Sequence, residues 1–127
     1  SARVDGYSET GDRWPIKTPE DAASLVRGKL QDKKKEYFLA LLLDTRNRLI
    51  RVAEISIGSL GSSIVHPREV FKEAVSASAA SVIFVHNHPS GDTAASDDDI
   101  HLTKRLADAG EIVGIDVLDH VIVGDGR

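Results

Sequence analysis

Two histidines separated by one residue are the first side chains in this sequence whose types and spacing could do chemistry. His86 and His88 follow an apolar run and precede Pro89. In extended backbone, residues i and i+2 project to the same side, so the two imidazoles can reach one point in space. Catalytic Zn²⁺ sites use three protein ligands and a water molecule, and imidazole nitrogen is one of the preferred donors. The pair therefore predicts two of the three ligands of a zinc site.

The third ligand is expected from the acidic residues that follow. Asp97, Asp98 and Asp99 come directly after Ser96, at the predicted start of a helix that can fold back over the loop after His88. The chain has no cysteine, so a transition-metal site must use His, Asp and Glu. The three carboxylates also suit a structural interpretation, in which they complement the helix dipole and Ser96 is the N-cap.

The elements that must position these side chains follow from the hydrophobic pattern. It predicts a mixed β-sheet flanked by helices, in the α/β or α+β class. Predicted strands cover residues 37–43, 48–57, 81–86 and two segments within 112–123, and predicted helices cover residues 18–29, 67–79 and 96–109. Thr18 and Asp21 have the spacing of a capping box, and Gly110 is expected to end the third helix.

Composition limits the function classes. With 127 residues and 41% hydrophobic content, we expect one domain over residues 16–127, preceded by a loose arm over residues 1–15. The formal net charge of -4 argues against tight nucleic-acid binding by this domain alone. The longest apolar run, residues 37–43, is too short to span a bilayer, so no membrane partner is expected. The lack of cysteine is compatible with the reducing cytoplasm, where we expect the protein to work.

At the candidate ligands, the sequence resembles a known family. His86-x-His88, seven intervening residues and then Ser96-x-x-Asp99 is similar to the motif of the JAMM (MPN-plus) metalloproteases. From about Thr18 onwards the chain resembles the bacterial RadC family, in the strings Val65-His-Pro-Arg-Glu-Val-Phe71, His86-Asn-His-Pro-Ser-Gly91 and Leu118-Asp-His120. RadC proteins usually carry an N-terminal helix-hairpin-helix domain that is absent here. The sequence also lacks methionine, so we expect a fragment of a longer protein.

The resemblance implies a JAB/MPN-type, cytidine deaminase-like fold with Zn²⁺ on His86, His88 and Asp99. It also implies that Ser96 donates a hydrogen bond to the oxyanion and that a glutamate on the second strand is the general base. Glu54 is the only acidic residue on the predicted second strand, so the role of the base maps there. The alternative for Glu54 is an exposed side chain, or an ion pair with one of the arginines on its strand.

The function implied is zinc-dependent amide hydrolysis of the metallopeptidase or isopeptidase type, on a peptide or amide substrate whose identity the sequence does not give. One alternative is a DNA-repair-associated RadC module that acts with nucleic acid or a protein partner and lacks peptidase activity. Another is a scaffold that binds partners without catalysis, although an intact ligand set argues against it. His66 and the pair Asp119-His120 are expected to have structural roles, and His101 is expected to be exposed on its helix.

Overall fold

The computed structural model of the chain describes residues 13–30, 35–58, 65–89 and 91–124. Its elements in chain order are α1 (Pro19–Val26), a short 3-10 helix (Arg27–Leu30), β1 (Glu36–Leu43), β2 (Leu49–Gly58), α2 (Pro67–Ser76), β3 (Ser81–Asn87), α3 (Asp97–Val113) and β4 (Asp116–Val123). These elements confirm the expected class, a mixed sheet with helices. Residues 59–63 of the predicted loop after β2 lie outside the described residues, as do residues 1–12 of the predicted arm.

The sheet topology decides which strand ends meet. The strand order is β2-β1-β3-β4, with β1 antiparallel to both β2 and β3. Strands β3 and β4 are parallel, and α3 lies between them in the chain. In the β1–β3 pair, Phe38 lies opposite His86. The start of β1 and the end of β3 therefore lie side by side, at the end of β3 where α3 begins.

Both faces of the sheet are covered, which explains why β1 is an uninterrupted apolar run. Its alternate residues enter two cores because successive side chains point to opposite faces. Phe38, Ala40 and Leu42 pack with α2 and α3 residues such as Val70, Phe71 and Leu106. Leu39, Leu41 and Leu43 pack on the other face with α1 residues Ala22, Ala23 and Val26. Each fully buried Leu or Phe contributes roughly 1.5–3 kcal/mol of transfer free energy.

The capping box predicted for α1 is confirmed. The Asp21 backbone N–H donates to Thr18 Oγ1 at 3.1 Å, and the Thr18 N–H donates to Asp21 Oδ2 at 3.1 Å. The described end of the predicted arm is attached to the sheet: Pro15 forms a bridge with Arg48, and the Leu49 N–H donates to the Trp14 carbonyl at 2.7 Å. Residues 13–15 are therefore held against the sheet.

The predicted end of α3 at Gly110 is wrong, and so is the division of residues 112–123 into two strands. The helix continues through Val113 and ends at Gly114, whose φ of +79° is the left-handed conformation that favours glycine. Gly110 lies inside the helix, where a Cβ would be only 2.4 Å from the Ile115 carbonyl oxygen. That glycine therefore permits close packing of the returning chain, and a single strand, β4, follows.

Candidate metal centre

The structure brings the imidazoles of His86 and His88 together at the end of β3. Their ring centroids are 4.9 Å apart, and His86 is buried. The backbone of His88 is held against β4, since its N–H donates to the Val123 carbonyl at 3.0 Å. The His88 ring is held as well, because Nδ1 lies 3.0 Å from the Asp92 carbonyl oxygen. The i, i+2 argument from the sequence is therefore matched by the geometry of the two side chains.

Asp99 joins the pair from the first turn of α3. Its Oδ2 lies 3.0 Å from His88 Nε2, and its Oδ1 lies 3.4 Å from His86 Nδ1. A second capping box fixes this carboxylate: the Ser96 N–H donates to Asp99 Oδ2 at 2.9 Å, and the Asp99 N–H donates to Ser96 Oγ at 3.1 Å. Asp97 and Asp98 are exposed. Among the three candidate carboxylates, Asp99 is the one that contacts both histidines.

The environment of Asp99 favours its charged form. Burial acts to raise the pKa of this carboxyl, but the hydrogen bonds from Ser96 and the nearby imidazoles outweigh it and lower the pKa below its usual value. Asp99 is therefore a carboxylate at neutral pH. Burial lowers the pKa of His86 despite the opposing hydrogen bond with Glu36, so this imidazole is neutral. A neutral imidazole and a carboxylate are the protonation states that a metal ligand needs.

Glu36 is a site residue that the sequence analysis missed. It is the first residue of β1, its side chain is 15% exposed, and its Oε1 lies 2.9 Å from His86 Nε2. Ligand atoms of Glu36, His86 and His88 all lie within 4.8 Å of one another. The predicted strand began one residue later, which left Glu36 in the charged run before it. The i, i+2 relation to Phe38 could have indicated Glu36, but only once Phe38 was known to lie opposite His86.

Glu54, the expected general base, is not brought to this cluster. It is exposed and lies opposite Leu39 in the β1–β2 pair, so it projects to the face that packs on α1. His86 lies opposite Phe38 and shares the other face. The alternative ion pairs for Glu54 do not form either, because Arg48 pairs with Asp44 at 3.2 Å and Arg51 pairs with Glu73 at 2.8 Å. In the described part of the chain, the carboxylate that approaches the histidines from β1 is Glu36.

The cluster contains two carboxylates, Glu36 and Asp99, that could join the two histidines as a metal ligand. Glu36 groups with the histidines by the distances among donor atoms, while Asp99 contacts both of them individually. The capping box of α3 fixes the Asp99 carboxylate between the two rings. The Glu36 side chain approaches His86 from the β1 side. The cluster is therefore two imidazoles flanked by two carboxylates.

The number of protons available shows that this donor set fits a cation. Each of the two ring nitrogens of both histidines lies near a different oxygen atom. For His88 these are the Asp92 carbonyl oxygen and Asp99 Oδ2, and for His86 they are Glu36 Oε1 and Asp99 Oδ1. A neutral imidazole has only one N–H, so one nitrogen of the His86 ring turns a lone pair towards an oxygen. Consistently, His86 Nδ1 is buried and makes no hydrogen bond, despite the 3.4 Å separation from Asp99. A divalent cation among these atoms would remove the repulsion.

The cluster opens into a cavity of about 240 Å³. Polar residues Glu36, His86, His88, Ser96, Asp98 and Asp99 line it together with apolar residues Phe38, Val65 and Leu102. The cavity therefore has a charged side for chemistry and an apolar side for binding. Ser96, expected to be the oxyanion donor, lies on this lining, next to Asp99.

His120 also lies at the centre, whereas His66 and His101 are exposed elsewhere. The His120 ring stacks on His86, with centroids 5.8 Å apart and planes inclined by 25°. Burial, followed by the influence of His86, lowers the pKa of His120 to about 4. His120 is therefore a neutral imidazole at physiological pH. No local sequence pattern indicated that His120 lies beside the candidate ligands.

Comparison with known proteins shows the family of this chain. The model of a family described as RadC-like JAB domain matches residues 16–127. The chain is 60% identical over 112 residues to the UPF0758 protein of Desulforamulus reducens, covering 88% of this chain and 49% of that protein. It is 52% identical over 120 residues to the UPF0758 protein of Caldanaerobacter subterraneus subsp. tengcongensis, covering 94% and 52%. The chain thus spans about half the length of these relatives. No helix in the described part of the chain is long and apolar enough to cross a membrane.

Proposed function

Because the chain belongs to the RadC-like JAB domain family, we propose that it hydrolyses amide bonds with a divalent cation, Zn²⁺, held by His86, His88 and Asp99. The convergence of two imidazoles and two carboxylates on one cavity is the observation that carries this proposal. A bound Zn²⁺ supplies Lewis-acid chemistry, which polarises a carbonyl and lowers the pKa of water. The substrate class is a peptide or isopeptide.

Glu36 is the general base in this proposal. Its Oε1 is within hydrogen-bond distance of a ligand imidazole, so its carboxylate reaches the same cavity in which a water molecule would attack the amide carbonyl. Glu36 takes one proton from that water and delivers it to the nitrogen of the leaving amine. The products are a carboxylic acid and an amine. Glu36 therefore performs the role that the resemblance had placed on Glu54.

Ser96 and the apolar wall complete the proposed mechanism. The Ser96 hydroxyl donates a hydrogen bond to the oxygen of the amide carbonyl as negative charge develops there, and one such donor typically contributes ~3–4 kcal/mol. Phe38, Val65 and Leu102 line the same cavity and bind the apolar part of the substrate. Their surface also excludes bulk water, which strengthens the electrostatic interactions within the cavity.

The test uses the zinc-loaded protein, quenched fluorescent peptides and isopeptide-linked lysine peptides, and a matched pair of variants. Glu36→Gln removes the proposed base and keeps the shape of the side chain. Glu54→Gln makes the same change on the neighbouring strand, where the side chain is exposed. We expect Glu36→Gln to lower kcat on the order of 10²–10⁴-fold while zinc stays bound, and Glu54→Gln to leave kcat unchanged.

Three results would contradict this account. Loss of activity in Glu54→Gln with full activity in Glu36→Gln would show that Glu54, on β2, is the general base. Loss of zinc from Glu36→Gln would make Glu36 a ligand. Absence of hydrolysis of every peptide and isopeptide by the zinc-loaded wild type would count against the amide-hydrolase proposal.

A further inference from the structure

His120 is linked to the candidate ligands by two separate contacts. Its ring stacks on His86, and its Nδ1 makes a hydrogen bond with Thr103 Oγ1. The Thr103 hydroxyl in turn lies 2.8 Å from the backbone carbonyl oxygen of Asp99, one helical turn earlier. His120 comes from β4, whereas Asp99 and Thr103 come from α3. His120 thus contacts His86 of β3 directly and, through Thr103, the backbone of Asp99 in α3.

The protons in this chain of hydrogen bonds can be assigned. The Asp99 carbonyl oxygen can only accept, so the single hydroxyl proton of Thr103 is donated to it. Thr103 Oγ1 must then accept from His120, which places the imidazole proton on Nδ1. The other ring nitrogen, Nε2, is buried and has no hydrogen-bond partner in the described part of the chain.

The unpaired Nε2 argues against a purely space-filling role. A phenyl ring would occupy nearly the same volume between Phe38, Phe84 and His86 without burying a nitrogen that lacks a hydrogen-bond partner. What an imidazole offers here and a phenyl ring does not is the Nδ1–H that binds Thr103. The choice of histidine is therefore explained by the hydrogen-bond chain to Asp99.

We propose that Thr103 and His120 form a positioning pair for the metal centre, an inference that rests on the proposed function. The hydrogen-bond chain holds the Asp99 backbone in place against β4, and the His120 ring limits rotation of the His86 ring. Substitution of residues that hydrogen-bond to metal ligands and orient them typically lowers metal affinity or activity by 10–100-fold. In the described part of the chain, neither residue of the pair lines the cavity into which the candidate ligands open, so both act on the ligands indirectly.

The experiment measures Zn²⁺ affinity by competition with a chromophoric chelator, together with thermal unfolding of the metal-free protein. Thr103→Val removes the hydroxyl at constant shape, and Thr103→Ser restores it. His120→Phe keeps an aromatic ring but removes the Nδ1–H. We expect Thr103→Val and His120→Phe to bind zinc about 10–100-fold more weakly than the wild type, and Thr103→Ser to bind within about 3-fold.

Two further readouts separate positioning from stability. His120→Phe should unfold at the wild-type temperature or above it, because it no longer buries an unpaired nitrogen. The double variant Thr103→Val/His120→Phe should bind zinc no more weakly than the single variant that binds it more weakly. Both substitutions interrupt the same chain of hydrogen bonds, so their effects should not add. Zinc affinities of Thr103→Val and His120→Phe within about 3-fold of the wild type would overturn the positioning pair and leave the proposed function intact. Failure of the wild type to bind zinc would overturn both.

Discussion

At the scale of single residues, burial sets the charge of the imidazoles. Removal from water lowers the pKa of both His86 and His120, the latter to about 4, although Glu36 and Asp99 oppose the shift at His86. A metal ion binds the lone pair of a neutral imidazole. The burial that disfavours protonation of His86 therefore also favours the form of the ring that binds a metal. The folded chain consequently resists protonation at these two positions where the unfolded chain does not.

This difference predicts that the metal-free protein loses stability in mild acid. Below the ordinary histidine pKa of 6.5 the unfolded chain binds protons at positions 86 and 120, while folded His120 stays neutral down to about pH 4. The free energy of unfolding should therefore fall between about pH 6.5 and 4, by on the order of 1–3 kcal/mol for a shift of this size. Asp99, with a lowered pKa, loses its contribution only as the pH falls below its ordinary value of 3.8.

Urea unfolding in chelator across this pH range measures the effect. His120→Phe should show a shallower decline than the wild type, because one of the two shifted groups is gone. His101→Gln, altered at an exposed histidine, should follow the wild type. Identical declines for the wild type and His120→Phe would contradict the assignment of a lowered pKa to His120.

Local spacing predicted the histidines and the capped aspartate, and long-range pairing supplied the rest of the site. The relation of His86 to His88 spans two residues of one extended segment, and that of Ser96 to Asp99 spans one helical turn. Glu36 reaches His86 across two strands that are fifty residues apart in the chain. No local pattern encodes the β1–β3 register, so Glu54 was the natural choice until that register was known.

At the scale of elements, the centre forms where β1 begins, β3 ends and α3 begins. Each element contributes what its geometry allows: β1 contributes Glu36, β3 His86, and the first turn of α3 Asp99. The helix N-terminus also favours negative charge, which supports a carboxylate ligand there. The capping box at Ser96 thus has two effects, since it starts the helix and orients Asp99.

The two capping boxes of the chain offer a matched test of this double role. Ser96→Ala and Thr18→Ala should each lower the free energy of unfolding by about 1 kcal/mol, because each removes the acceptor for an N3 backbone N–H. Only Ser96→Ala should also weaken zinc binding, since Thr18 caps α1, away from the cluster. Urea unfolding and chelator competition measure the two effects. Equal zinc affinity in both variants would show that the cap does not orient the ligand.

The elements themselves were predictable, while the end of α3 was not. Apolar runs and caps indicated three helices and the strands before Gly110 from local sequence alone. Gly110 lies inside the helix and permits close packing, because a Cβ at this position would meet the Ile115 carbonyl oxygen and the Phe71 ring. The true stop is Gly114, and the choice between the two glycines depends on tertiary packing.

At the scale of the whole molecule, the charge balance bears on the DNA-repair alternative. The net charge of -4 offers little phosphate neutralisation, so the chain should bind duplex DNA weakly and lose that binding steeply as salt rises. A fluorescence anisotropy titration at two salt concentrations measures this. Sub-micromolar affinity at physiological salt would favour direct action on nucleic acid over the proposed hydrolase.

The metal itself is the most direct test of the account, because every proposed role in the cavity depends on it. We expect one Zn²⁺ per chain by elemental analysis of protein purified without chelator near pH 7.5, because metal binding weakens when the ligands are protonated. His86→Ala and His88→Ala should each lose most of this zinc, and His101→Ala, at an exposed histidine of α3, should keep it. A wild type that contains no zinc and takes up none on titration, or histidine variants that retain it, would contradict the metal centre.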